Sequence, residues 1–560
     1  MLKPAPQAMD IVIILCSRRL KCFHLLLNTP CLSSPDSADL LRRRCLTMGV
    51  RIVIHSAEME NQVLIVGAGP TGLVLALWLA KSGISFRIVE KNDGPGQASR
   101  AMAVQARTLE FYRQLGIANR VIESGIRVRG GHLREGNRVI ANFPFDDIGS
   151  DISPFPFVLS FPQDDHEHLL VKCLEEAGIR VEWSTQLVQC KEEGQQVNVI
   201  LRKGDAEERC EFAYVCGCDG AHSTVRQGLG LNFPGGMYEQ LFYVADVQPE
   251  GPAFDEAVNA CFSPDSFILA FPVRSSGMLR LIGIVPPELA GRDGLTFEEI
   301  RPYVKKQINV DVHRVNWFST YRVHHRVADH FRQGRVFIAG DAGHIHSPAG
   351  GQGMNTGIGD AVNLAWKLAT VIHGRTNPAV LDTYESERIA FARTLVATTD
   401  RLFQLGVNRD LRARMIRGTF LRYIAPVALR FRPARKAQFR LISQTRIHYR
   451  NSSTLSHGAA GDIHGGDRLP WVENQNNFQP LNSLDWQIHI FGAPADALRT
   501  LATRWNLPIH SFSWDKQAQS AGFTSDAVYL VRPDGHIAFA QSDRNTAQLE
   551  KFLSEWLTPK

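Results

Sequence analysis

Apolar and polar positions follow two different rhythms along this chain. Val63–Val66 is a continuous apolar run, and after a glycine-rich turn Leu73–Ala80 is apolar again. The first predicts a central parallel strand, buried on both faces, and the second a buried helix. Ser85–Glu90, Phe212–Cys216 and Arg335–Ala339 predict further strands, while Leu241–Val247, Ser266–Val273 and Met278–Ile284 read as antiparallel strands of another sheet. Near the C-terminus, Trp486–Phe491 predicts a strand and Ala495–Arg504 a helix, with Pro494 at its start. Ala527–Val531 and His536–Ala540 flank Arg532-Pro533-Asp534-Gly535, a hairpin signal, before a last helix over Thr546–Trp556. The whole is an α/β pattern.

At roughly 100–200 residues per domain, 560 residues predict three or four domains. Residues 60–235 and 326–400 are expected to be two parts of one nucleotide-binding domain, with 236–325 a substrate domain between them. A helical connection follows over 401–460, and a last domain over 461–560. The connection is Arg-rich. A basic helix there is compatible with a membrane surface, but Pro426 and Pro433 interrupt it and packing between domains is the favoured expectation. Residues 1–59 hold eight Lys/Arg against four Asp/Glu and four of the ten cysteines. They read as an extension, or as sequence upstream of a true start at Met59, with a transit peptide as the alternative; removing them should leave activity intact.

Charge and cysteine narrow the function. The net charge of +6 lies mostly in that leader, so no broad basic surface points to nucleic acid. No run approaches 18 apolar residues, and stable membrane insertion is not expected. Cys216 and Cys218 have no second pair at metal spacing and are read as buried thiols in a reducing, cytoplasmic setting.

The chemistry sits in three motifs. Gly67, Gly69 and Gly72, with Pro70 and Thr71 between them, stand in GxGxxG spacing between the first strand and helix, and Glu90 ends the second strand. Glycine there permits a tight turn, backbone approach to a pyrophosphate and close helix–strand packing; the acid can accept hydrogen bonds from a ribose. The second motif, Cys218–Arg226, reads CDGAHSTVR, and its Asp219 is either a ligand or a turn former. The third, Gly340–Gly357, reads GDAGHIHSPAGGQGMNTG. Asp341 at a strand end can hold ribityl hydroxyls, or simply cap a helix. Gly350–Gly353 lets backbone lie close to a flat ring, and Met354–Thr356 leads into a helix over Gly357–Ala369 whose free N–H groups favour a reduced, anionic flavin. His344 and His346 lack an evident third metal ligand.

In order and spacing these motifs resemble the group A FAD-dependent aromatic hydroxylases, of the phenol hydroxylase, pentachlorophenol monooxygenase and 3-(3-hydroxyphenyl)propionate hydroxylase type. The resemblance implies a para-hydroxybenzoate hydroxylase-like fold, with a Rossmann-like FAD domain, a mixed-sheet substrate domain and a C-terminal thioredoxin-like domain. That last domain has no cysteine, so a role in scaffolding or dimer contact is expected, and the chain should be a homodimer. By the resemblance, Gly67, Gly69, Pro70, Thr71, Gly72, Glu90, Arg100, Arg107, Gln163, Asp219, Arg226, Gly340, Asp341, Gly353, Met354 and Asn355 bind cofactor. Arg100, Pro348, Gly350 and Asn355 border the reacting centre. The implied reaction uses FAD, NADPH or NADH, and dioxygen to hydroxylate a small phenolic substrate through a flavin C4a-hydroperoxide. The alternatives are a tailoring hydroxylase or epoxidase of a larger polycyclic or heteroaromatic substrate, and a non-oxygenating flavin oxidoreductase. Met102 stands where phenol hydroxylase has an aspartate near the substrate, which removes one candidate base; His324, His325 and Tyr321 are weak replacements.

Overall fold

The computed structural model describes residues 62–96, 101–135, 138–144, 149–250, 257–262, 266–273, 277–292, 294–347, 351–407, 419, 423–428, 430–543 and 545–559. Arg100, Pro348, Gly350 and the 1–59 extension lie outside them.

The cofactor half is built on a five-stranded sheet ordered Arg332–Gln333, Val336–Ile338, Tyr214–Gly217, Val63–Val66, Phe86–Val89. The last four run parallel, and the short Arg332–Gln333 strand is antiparallel at the edge. Strands far apart in sequence thus lie side by side, so the ends of three of them, carrying the three motifs, open on one edge. All four residues of Val63–Val66 are buried, as a strand covered on both faces requires. The helix Pro70–Lys81 begins with proline at its first turn, where a missing N–H costs nothing, and is buried from Gly72 to Leu79. It packs on the helices Gly353–Ile372 and Gln163–Glu176.

A mixed eight-stranded sheet lies beside this half. Its centre is formed by Asp311–Val327, Gly235–Glu250, Met278–Ile284 and Phe267–Val273, antiparallel in that order. It also takes Gly130–Glu135 and Arg138–Pro144, with Gly130–Glu135 parallel to Ala257–Phe262. The sheet therefore extends beyond residues 236–325. Its outer face buries Tyr243, Ala245 and Leu281 against the helix Phe297–Ile308. Thr296 and Glu299 close a capping box at that helix's start. Because side chains alternate, the opposite face presents Val244, Ile282 and Met278 inward, toward the cofactor half.

The C-terminal domain orders its main strands Ile537–Gln541, Val528–Val531, Gln487–Phe491, Ile509–Phe512. Only the last pair is parallel, and the helix Asp496–Arg504 connects its two strands. This is the thioredoxin-like arrangement. Its core is continuous with that of the cofactor half, and Trp366 meets Trp486 edge-on with ring centroids 5.5 Å apart. None of the described helices is long and apolar enough to cross a membrane.

Candidate active site

The three glycines of the first motif have distinct surroundings. Gly67 has φ +105°, and a β-carbon there would lie 2.4 Å from the Cys218 carbonyl oxygen. A β-carbon on Gly72 would strike the Gly67 carbonyl oxygen at 1.9 Å. At Gly69 nothing lies within 4 Å. Two glycines are thus needed for packing, while the third faces open space, as close approach of a pyrophosphate requires. Beside it is a cleft of about 180 Å³ lined by Gly67, Gly69, Glu90, Thr185, Asp219 and Thr224, among others. Glu90 is fixed at its rim: Oε2 accepts from the Ala68 N–H at 2.9 Å and Oε1 from Asn92 Nδ2 at 2.7 Å. Asp219 uses its two oxygens differently. Oδ2 accepts from the Thr224 N–H at 2.7 Å, while Oδ1 is buried with no partner among the described residues. Burial raises its carboxyl above the usual range, so a hydroxyl donor at Oδ1 would be favourable. An adenine dinucleotide fits these groups.

The third motif is held from behind. Asp360, in the helix Gly353–Ile372, accepts from the Gly340 N–H at 3.0 Å and from Arg388 Nε at 2.6 Å, and lies 2.6 Å from His344 Nε2. Burial alone would raise its carboxyl; Arg388 and His344 outweigh this and hold it low. The sequence reading missed Asp360 and Arg388. Their signal was weak: Asp360 is an acid within a largely apolar helix, a residue type seldom buried unless paired, and Arg388 sits among other charged residues. Asp341 is the exposed residue of the short turn Gly340–Ala342 at the strand end. It does not cap the long helix, which starts at Gly353, earlier than expected, with Gln352 at its N-cap. Gly353 and Met354 open that helix, so their backbone N–H groups belong to its unpaired first turn. Thr71 packs against both Gly340 and Gly357: a β-carbon at either would lie 2.6 or 2.4 Å from its Oγ1.

Four expected site side chains make contacts within the protein. Arg107 is buried; Nη1 donates to Glu110 at 2.8 Å and Nη2 to the Asp534 carbonyl at 2.7 Å, so it joins the cofactor half to the C-terminal domain instead of reaching a cofactor. Asn355 Oδ1 accepts from the Gln105 N–H and Thr108 Oγ1 at 2.9 and 2.7 Å, and Nδ2 donates to the Ala103 and Gly351 carbonyls. With its amide saturated, Asn355 offers a ligand only backbone. Arg226 donates to the Ala342 and Ala221 carbonyls at 2.8 and 2.9 Å and stacks over Phe233; it ties the second motif to the third. Gln163 Oε1 accepts from the Ala101 N–H at 3.3 Å, and its Nε2 donates to Glu167, which in turn accepts from the Gly96 N–H. Gln163 therefore secures the segment next to Arg100.

Met102 is buried against the inner face of the eight-stranded sheet, in a cluster with Val244, Val273, Met278 and Ile282. Leu269, Phe271, Trp317 and Tyr321 pack around it. Polar groups on that face are paired: Arg280 donates from Nε and Nη2 to Asp246 at 2.6 and 2.7 Å. His324 and His325 stand on the Asp311–Val327 strand opposite Met237 and Gly236, with the His325 ring against Tyr238. Burial pushes His346 down to about 4, so it is neutral at pH 7. His344 is paired with Asp360 and His346 with the Ser347 carbonyl, 2.8 Å away. Cys216 and Cys218 are buried, and burial pushes both thiols up.

The chain matches known families over both of its main parts. Residues 60–399 match the FAD binding domain model and residues 472–559 the aromatic-ring hydroxylase C-terminal model. It is 32% identical over 514 residues to 6-methylpretetramide 4-monooxygenase of Streptomyces rimosus, covering 85% of this chain and 90% of that one. Identity to pentachlorophenol 4-monooxygenase of Sphingobium chlorophenolicum is 33% over 357 residues, 62% of this chain and 65% of that one. Among solved structures, the anhydrotetracycline hydroxylase OxyS from Streptomyces rimosus superposes with a TM-score of 0.71 at 27% identity, covering 89% of this chain and 99% of that one. The dinucleotide cleft, the ordered motifs at one sheet edge and the thioredoxin-like domain agree with these matches, and the chain belongs to the FAD-dependent aromatic hydroxylase family.

Proposed function

We propose that this protein is an NAD(P)H-dependent FAD monooxygenase that inserts oxygen into a polycyclic aromatic substrate, as a tailoring enzyme does. The observation that carries the substrate reading is the wall opposite Met102. The apolar part of that face is formed by Val244, Val273, Met278, Ile282, Phe271 and Trp317 around Met102, and Asp246 on the same face is bound by Arg280. A broad apolar and aromatic surface suits a fused ring system, whose binding comes from area. A small phenol gains little there and finds no acidic side chain at Met102 to take its proton. Relatives that act on 6-methylpretetramide and anhydrotetracycline favour the polycyclic alternative over the small-phenol expectation.

When bound, FAD supplies the oxygen transfer from dioxygen at the expense of a reduced nicotinamide. The chain's residues hold and enclose it. Gly67, Gly69 and the start of Pro70–Lys81 receive the pyrophosphate; Glu90 and Asp341 accept sugar and ribityl hydroxyls. The unpaired N–H groups in the first turn of Gly353–Ile372 would stabilise negative charge on a bound flavin. Asp360, Arg388 and Arg226 keep the Gly340–His344 turn in place. The Met102 wall excludes water and orients the substrate.

A panel of fused-ring aromatics and simple phenols tests this reading, with nicotinamide oxidation and oxygenated product measured together. Coupled turnover confined to fused-ring substrates is expected. Coupled turnover with small phenols alone would return the assignment to the phenol hydroxylases.

A further inference from the structure

We propose that the outward face of residues 423–441 docks on an anionic lipid surface. Nothing in the oxygenation chemistry uses this segment. Between Asp410 and Asp462 the sequence contains eleven Lys/Arg and no Asp/Glu. Of ten exposed large hydrophobic residues among those described, five lie within 423–441: Tyr423, Ile424, Val427, Phe431 and Leu441. Tyr423 is 64% and Phe431 62% exposed, more than chance scatter of single apolar residues explains.

The segment is anchored from beneath. Phe439 is buried so closely that a β-carbon on Gly149 would lie 2.7 Å from its ring, and Gln444 Nε2 donates to Thr356 Oγ1 at 2.9 Å. Along the helix Arg432–Ile442, Pro433, Ala437, Arg440 and Leu441 are exposed, a spacing that puts them on one face. Phe431 and Arg432 are exposed at the helix's start. Lys436 is paired with Asp151, whereas Arg432 and Arg440 stand on the exposed face. The helix Arg432–Ile442 is therefore held from beneath, with Pro433 on its exposed face.

Charge decides the occupant. A second copy using this face in an isologous contact would bring two predominantly basic surfaces together, and like charges repel. A nucleic acid would satisfy the arginines but leave Ile424, Val427 and Leu441 without apolar cover. An anionic bilayer satisfies both, with arginines at the headgroups and aromatic and aliphatic side chains at the acyl boundary. This is adsorption to a surface and does not require a spanning helix. It is independent of the proposed substrate.

Flotation of the full-length, flavin-loaded protein with vesicles tests the proposal. The protein should float with mixed phosphatidylglycerol–phosphatidylcholine vesicles, remain behind with phosphatidylcholine alone, and lose binding as salt rises. The pair Arg432→Gln/Arg440→Gln should weaken partitioning about thirtyfold. Tyr423→Ser/Phe431→Ser should also weaken it, and the flavin spectrum of both variants should be unchanged. Three results would overturn the proposal: no flotation with anionic vesicles at low salt, binding that ignores both variants, or retention on duplex DNA without flotation. A drop in oligomeric mass on Tyr423→Ser/Phe431→Ser would identify the face as a contact between copies and overturn it equally.

Discussion

Asn355 separates what a motif announces from what its side chains do. Its amide makes four hydrogen bonds, to Gln105, Thr108, Ala103 and Gly351. Asn355→Ala should therefore cost stability, roughly 1–3 kcal/mol for each buried partner left unsatisfied, while turnover per bound flavin changes little. Thermal melting and single-turnover kinetics on the flavin-loaded fraction distinguish this from a direct role in chemistry. Asp341→Asn should do the opposite. Losing a charged hydrogen bond to a ribityl hydroxyl costs about 1.5–3 kcal/mol, or about one to two decades in FAD affinity. Titration of apoprotein with FAD measures it. The glycines were legible in the sequence because their reasons are local: a positive φ at Gly67 and close backbone packing at Gly72. The pairing of Arg107 was not legible, because its partner, the Asp534 carbonyl, lies 427 residues further along the chain. No local pattern distinguishes an arginine facing a cofactor from one facing another domain.

Among elements, the hairpin of the C-terminal domain is keyed into the cofactor half by buried charge. Arg532 donates to both oxygens of Glu387, at 2.7 and 3.0 Å, and Lys367 Nζ donates to Glu387 Oε2 at 2.9 Å. Arg468 pairs with Glu110, which also accepts from Arg107. Deleting residues 461–560 would strand Glu387 and Glu110 as buried carboxylates with part of their partners gone. Removing one partner of a buried pair typically costs about 3–5 kcal/mol. The deletion should thus yield protein that retains little FAD, measured by flavin absorbance after gel filtration; a yellow, folded fragment would show that the domain is only an accessory scaffold. The same network predicts a pH dependence. Burial alone would raise the Glu387 carboxyl, but Arg532 and Lys367 hold it down at about 2, against an ordinary value of 4.5. A group whose folded pKa is depressed adds stability above its unfolded value and loses it as pH falls toward the folded one. Denaturant melts should weaken as pH falls from about 4.5 toward 2, and Arg532→Met should flatten that part of the profile. The core strands and C-terminal elements were readable from periodicity. The Gly130–Pro144 hairpin and the three-stranded sheet of Thr185–Glu193, Gln196–Lys203 and Ala206–Phe212 were not. Their solvent-facing positions carry long polar runs, which weaken the apolar alternation that marks a half-buried strand.

Over the whole molecule, the fold brings three separated motifs to one sheet edge and sets an apolar sheet face opposite them. The order of the motifs made the first part readable from sequence. The second depended on which strand faces point inward, and that is decided by the helix Phe297–Ile308 covering the other side. Met102 acquires its meaning only there, as part of an apolar wall where phenol hydroxylase has an acid. The central claim is that this architecture inserts an atom of dioxygen into a fused aromatic ring. It is tested most directly by turnover with NAD(P)H and a fused-ring aromatic under isotopically labelled dioxygen, with product mass and peroxide measured in one reaction. One labelled oxygen atom is expected in the aromatic product for each nicotinamide oxidised, with little peroxide. Nicotinamide oxidation with every reducing equivalent recovered as peroxide, and no label in any product across the substrate panel, would contradict it.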